Sequence, residues 1–72
     1  MLGERDAAVA DVQPYDVHGS PHVKVALAFA DGTFQQVQLG AESVPEDLRA
    51  GELVLVRFAM NVVVAIERRA EA

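Results

Sequence analysis

The stretch His22-Val23-Lys24-Val25-Ala26-Leu27-Ala28-Phe29-Ala30-Asp31-Gly32-Thr33-Phe34-Gln35-Gln36-Val37-Gln38-Leu39 decides the fold. Apolar residues alternate at Val23, Val25, Leu27 and Phe29 up to Asp31-Gly32, and a second run returns from Thr33 to Leu39, which is the pattern of a half-buried β-hairpin. Two registers compete. A two-residue Asp31-Gly32 loop would set Val25 opposite Gln38 and Leu27 opposite Gln36, splitting the apolar side chains between the faces. A three-residue loop, Ala30-Asp31-Gly32 with Gly32 in the left-handed region as a bulge, pairs Val25 with Val37 and Val23 with Leu39 instead. The second register is expected. It lays Phe34 across Ala28 on the other face and sets Lys24 against Gln38.

Downstream, Glu52 to Phe58 and Val62 to Glu67 read as a second hairpin around Ala59-Met60-Asn61, with Asn61 in the left-handed conformation that asparagine tolerates. The expected pairs are Phe58 with Val62, Val56 with Val64, Val54 with Ile66, and Glu52 with Arg68 as an ion pair. Upstream, a strand fits Ala8 to Gln13, Pro14 ends its ladder or marks an edge, and residues 16–21 read as a loop. Between the hairpins, Ser43-Val44-Pro45-Glu46 has capping-box spacing for a short helical turn. Leu48 can plug the end of a barrel, and Ala50-Gly51-Glu52 reads as the turn that launches a strand. Five strands with one short helical turn between the third and fourth is the element order of a small all-β barrel, OB-like or SH3-like. One domain over residues 1–72 is expected, with residues 1–7 as an N-terminal arm and 69–72 as a tail.

Composition narrows the chemistry. The 72 residues include no cysteine and no tryptophan, so disulfides, thiol catalysis and cysteine-ligated clusters are excluded. Six basic against eleven acidic residues give a formal charge of −5. The basic residues Arg5, Lys24, Arg49, Arg57, Arg68 and Arg69 are scattered apart from the last two, whereas binding to a polyanion needs clustered lysine and arginine to neutralise phosphates. Nucleic acid is therefore not expected as a partner. The start Met1-Leu2-Gly3-Glu4-Arg5-Asp6 lacks a secretory pattern, and the longest apolar stretch, Leu53 to Ile66, is broken by Arg57 and Asn61, so a cytoplasmic chain without membrane contact is expected.

Few residues suggest catalysis. His18 and His22 are separated by Gly19-Ser20-Pro21, which forbids the helix that would set them as a metal pair, and spacing supplies no third ligand. The acidic residues Glu42, Glu46, Asp47 and Glu52 surround a surface turn, with nothing to desolvate one of them into a general acid. No nucleophile motif or phosphate-binding glycine loop is present. No catalytic residue, cofactor or metal is expected. Phe29 and Phe58 are claimed by the core, which leaves Tyr15 and Phe34 as the only aromatic platforms a nucleic acid could stack on, with Lys24, Arg57, Arg68 and Arg69 as phosphate contacts. The plainer use of Phe34 is to cover the alanine-rich face.

One feature exceeds what a core needs. Leu53-Val54-Leu55-Val56 and Val62-Val63-Val64-Ala65-Ile66 are apolar on both faces. With Val54, Val56, Phe58, Val62, Val64 and Ile66 inward, Leu53, Leu55, Val63 and Ala65 form an outward patch rimmed by Arg57 and Glu67. Such patches mark contact with another surface. The competing use is as a seat for the N-terminal segment with Leu2 and Val9. The leading expectation is a non-catalytic barrel that works through a protein partner or self-association, and the alternative is a nucleic-acid-associated module.

Two family likenesses lie in the last third of the chain. Ala50-Gly51-Glu52-Leu53-Val54-Leu55-Val56-Arg57-Phe58-Ala59 resembles the Gly-acid-x-Val-x-Val-x-x-Gly-x-Ala segment of hydrogenase-maturation chaperones of the HypC type, which are small OB-like proteins. That family carries a cysteine directly after the initiator methionine, where this chain has Leu2, so the likeness implies the fold and not the cluster-handling chemistry. The Gly51-Glu52 strand followed by an arginine-ended last strand is also similar to bacterial translation initiation factor one, an OB protein of the ribosome. The acidic charge here departs from what that role requires.

Overall fold

Five antiparallel strands and one 3₁₀ turn make up the computed structural model, which describes residues 2–69. They are β1 (Leu2–Val17), β2 (Ser20–Phe29), β3 (Phe34–Gly40), the 3₁₀ turn Ala41–Ser43, β4 (Leu53–Ala59) and β5 (Val62–Arg68). All five strands join one sheet in the order β3-β2-β1-β4-β5. The sheet is not closed, and β3 and β5 stand at its two edges. The N-terminal half of β1 pairs with β4, from Leu2 opposite Ala59 to Ala8 opposite Leu53, while its C-terminal half pairs with β2, from Ala7 opposite Phe29 to Val17 opposite Ser20. A bulge at Ala10, between the pairs Val9–Leu27 and Asp11–Ala26, bends the strand where it changes partner.

This first strand is longer than the expected Ala8–Gln13. The stretch expected as an arm over residues 1–7 is, from Leu2 onward, laddered to β4. Pro14 lies inside the strand opposite Val23, in the half that pairs with β2 alone, where a missing donor is tolerated. The expected loop over residues 16–21 is a two-residue turn. His18 and Gly19 both have positive φ (49° and 82°), the type I′ geometry whose twist matches the flanking strands. Of the expected tail, Arg69 donates its backbone N–H to the Leu53 carbonyl, and residues 70–72 lie outside the described residues.

The β2–β3 hairpin has the expected register, with Val25 opposite Val37, Val23 opposite Leu39, Lys24 opposite Gln38 and Ala28 opposite Phe34. Its three-residue loop closes through Gly32 N–H to Phe29 O (3.0 Å) and Phe29 N–H to Thr33 O (2.9 Å), with Gly32 at φ 89°. The second hairpin departs from expectation. Met60 and Asn61 (φ 51° and 68°) form a two-residue type I′ turn, so Ala59 faces Val62 and Phe58 faces Val63. Val64 is then left over as a bulge, and below it Val56 faces Ile66 and Val54 faces Arg68. The extra residue reverses the alternation of β5, so Val63 points inward and Val62 and Val64 outward.

The core on the inner face comprises Ala7, Val9, Val25, Leu27, Phe29, Val37, Leu48, Val54, Val56, Val63 and Ile66. Phe58 packs against it with its ring 6.3 Å from Phe29. Leu48 is buried, as its expected plugging role requires, although the capping box is not formed: the 3₁₀ turn ends at Ser43 instead of starting there, and has no side-chain cap. The β3–β4 connection is pinned to β1 by Val9 N–H to Glu52 O (2.9 Å) and Gly51 N–H to Val9 O (2.8 Å). Among the described residues no helix is long and apolar enough to cross a membrane.

Candidate protein-contact face

The outer face of the sheet carries one row that spans four strands. Phe34 pairs with Ala28, Ala28 with Ala8, and Ala8 with Leu53, and residues directly opposite each other point to the same side of a sheet. Two large side chains therefore flank two alanines. Phe34 is 73% exposed and Leu53 63%, so neither folds down over the gap between them. Next to this row is a cleft of about 440 Å³ lined by Ala7, Ala8, Ala28, Ala30, Leu53 and Val54. Its rim holds Asp6 and Arg69, whose Nη1 donates to Asp6 Oδ1 at 2.9 Å.

Of the six residues expected at an interface, five share this side of the sheet. Leu53 is exposed, and Leu55 and Ala65 are half-buried. Arg57 bridges Glu4 (3.4 Å) and Glu67 (3.2 Å) beside them. Val63 is the exception, because the bulge at Val64 turns it into the core. Val9, considered as part of a cover for the patch, is likewise a core residue; the side chain of Leu2 lies outside the described residues. Ala8, Ala28 and Phe34 align with Leu53 only through the pairing of β1 with both neighbours, which the sequence does not show. The sequence signal was partial: Phe34 opposite Ala28 followed from the hairpin register alone.

Polar side chains serve the fold. Glu52 accepts from Arg68 Nε (2.6 Å) and from the Arg49 backbone N–H (2.7 Å), clamping the β3–β4 connection to the last strand. The expected Glu52–Arg68 ion pair thus forms even though the residues are not directly opposite. Arg68, and secondarily the Arg49 N–H, hold the Glu52 carboxyl below the usual carboxylate range. Asp31 is held low by the Thr33 hydroxyl (2.6 Å) and backbone N–H (3.0 Å), with Arg5 adding a weaker pull. Arg5 in turn lies 4.3 Å over the Phe29 ring and caps that end of the core. Both carboxyls are pushed toward the ionised form, the opposite of what a general acid near neutral pH requires.

A pH dependence follows. Because Glu52 ionises more readily in the folded chain than in the unfolded one, its contribution is fully present above its ordinary value of 4.5 and is lost as pH falls through the lowered folded value. Melting temperature should drop as pH falls below the ordinary value of 4.5 and through the lowered folded value, and Glu52→Gln should flatten that drop. An unchanged pH profile in the variant would show that the clamp contributes nothing.

Other candidate groups stay apart. His22 Nδ1 lies 2.9 Å from the Ser20 carbonyl, which makes it the donor, and its ring is 5.6 Å from Tyr15. His18 sits in the type I′ turn. Among the described residues no three His, Cys, Asp or Glu side chains are grouped to hold a metal ion. Four of the six basic side chains, Arg5, Arg57, Arg68 and Arg69, are engaged by carboxylates, which neutralises locally three of the four proposed phosphate contacts. Comparison with known proteins finds no family model that matches the chain, and no curated protein or solved structure that matches it.

Proposed function

We propose that this chain is a non-catalytic binding module, an OB-like barrel left open at one seam, that works by protein contact through the outer face of its sheet. The strand neighbours support the OB-like reading over the SH3-like one. β1 pairs with both β2 and β4, while the consecutive strands β3 and β4 lie apart and β3 approaches β5 without a ladder. The observation that carries the functional reading is the exposed row Phe34-Ala28-Ala8-Leu53 with its apolar cleft. A monomer gains nothing by leaving a phenyl ring and a leucine in water beside a floor of alanines, whereas a partner surface would remove all of them from solvent.

Oligonucleotide binding is the weaker reading. OB-like barrels grip nucleic acid with the loops between strands 1 and 2 and strands 4 and 5, and both are two-residue turns here. Size-exclusion chromatography of tagged chain in native lysate tests the proposal. The wild type should elute well above its monomer mass, and Leu53→Glu should shift to monomer while keeping its β-type circular dichroism. Identical elution of the two proteins would reject the face, and a heavy species that collapses on nuclease treatment would put the nucleic-acid reading first.

A further inference from the structure

We infer that the occupant of the outer cleft is a second copy of this chain, docked about a two-fold axis beside Ala28 with Phe34 of each copy seated over Ala8 of the other. The inference rests on the protein-contact reading and adds the partner's identity. An isologous interface needs one surface that is complementary to itself. This face carries both halves of such a fit: Phe34 is the projection, and the alanine-floored cleft beside Ala8 is the recess. Phe34 and Ala8 lie in the same cross-strand row two strands apart, which is about 10 Å, and Ala28 lies midway. A half-turn about the middle residue carries each Phe34 onto the other copy's Ala8. Ala28 itself is small enough to let the sheets approach on the axis.

Charge limits how two copies can meet. A chain with formal charge −5 repels its own copy unless the acids are compensated or remote. At this face Asp6 is paired with Arg69 and Glu4 and Glu67 share Arg57, while Asp11, opposite Ala26, accepts only from Gln13 and has no cation beside it among the described residues. Glu42, Glu46 and Asp47 lie instead on the β3–β4 connection, which packs on the inner side where Leu48 is buried and Arg68 donates to the Glu46 carbonyl. Two copies meeting through their outer faces therefore keep that acidic connection outside, and the apolar contact has to outweigh the negative charge left at the rim by Asp11 and by two glutamates sharing one arginine.

The absence of cysteine makes the geometry directly testable. Sedimentation of the purified wild type over a range of concentrations should give a reversible monomer–dimer equilibrium, with the dissociation constant raised at least tenfold in Phe34→Asp. A short bis-maleimide should couple Ala28→Cys chains into covalent dimers at concentrations where Val62→Cys chains, labelled on the β5 edge, remain single. A purified wild type that is monomeric throughout would overturn the inference; if the lysate species and its loss in Leu53→Glu persisted, protein contact with a different partner would stand. Coupling through Val62→Cys in preference to Ala28→Cys, or assembly beyond a dimer, would also overturn the two-fold geometry.

Discussion

Replacing Val63 by aspartate should abolish folding, whereas the same replacement at Val64, one residue further on, should leave a folded protein. Val63 is 7% exposed and Val64 45%. The first change puts an unpaired carboxylate among Phe58, Val56 and Ile66, where the penalty is several kcal/mol. At roughly 0.05–0.15 kcal/mol per residue, a domain of this length has about 4–11 kcal/mol of stability to lose. Val64 is the bulge residue and faces water, so its variant should lose no more than about 1 kcal/mol. Urea unfolding followed by circular dichroism decides the matter. A folded Val63→Asp with an unfolded Val64→Asp would restore the alternation expected from sequence and remove the bulge.

Leu27→Ala should cost about 2–5 kcal/mol, the range for truncating a fully buried leucine. Leu27 has no exposed surface and lies at the centre of the sheet between Val9 and Gln35 on the neighbouring strands. In a chain this small the change should leave a substantial unfolded fraction at room temperature. Phe34→Ala removes a larger side chain and, measured at concentrations where the protein is monomeric, should change stability by no more than about 0.5 kcal/mol. The contrast separates the two faces: a large loss at Phe34 in the monomer would mean that the ring belongs to the fold and is not held ready for a partner.

These predictions trace which parts of the molecule were legible in one dimension. The β2–β3 register could be read because turn chemistry and apolar pattern agreed. Gly32 favours the left-handed bulge position, and only that loop puts Val23, Val25 and Leu27 on one face with Val37 and Leu39. The second hairpin offered no such agreement. Every residue from Val62 to Ile66 is apolar, so the pattern was equally satisfied by registers two residues apart, and the bulge that placed Val63 inward left no mark in the sequence. The candidate face is half legible for a related reason: double-sided apolarity and flanking charge put Leu53, Leu55, Arg57, Ala65 and Glu67 on the outer side, where the structure also has them, while the same alternation puts Val63 there and the bulge turns it inward.

By itself the sequence determined the all-β class, the alternation that buries Val25, Leu27, Val54 and Val56, the first hairpin's register, and the pairing of Glu52 with Arg68. Each depends on residues joined by a short turn, or on opposite charges with few other partners, so local pattern carries the information. Tertiary structure alone decided that β1 ladders to β2 and β4 at once, that it bulges at Ala10 to do so, and that Phe34, Ala28, Ala8 and Leu53 fall in one row. Strands far apart in the chain choose their register by how the whole sheet bends and buries its inner face, a sum over all five strands that no single segment records.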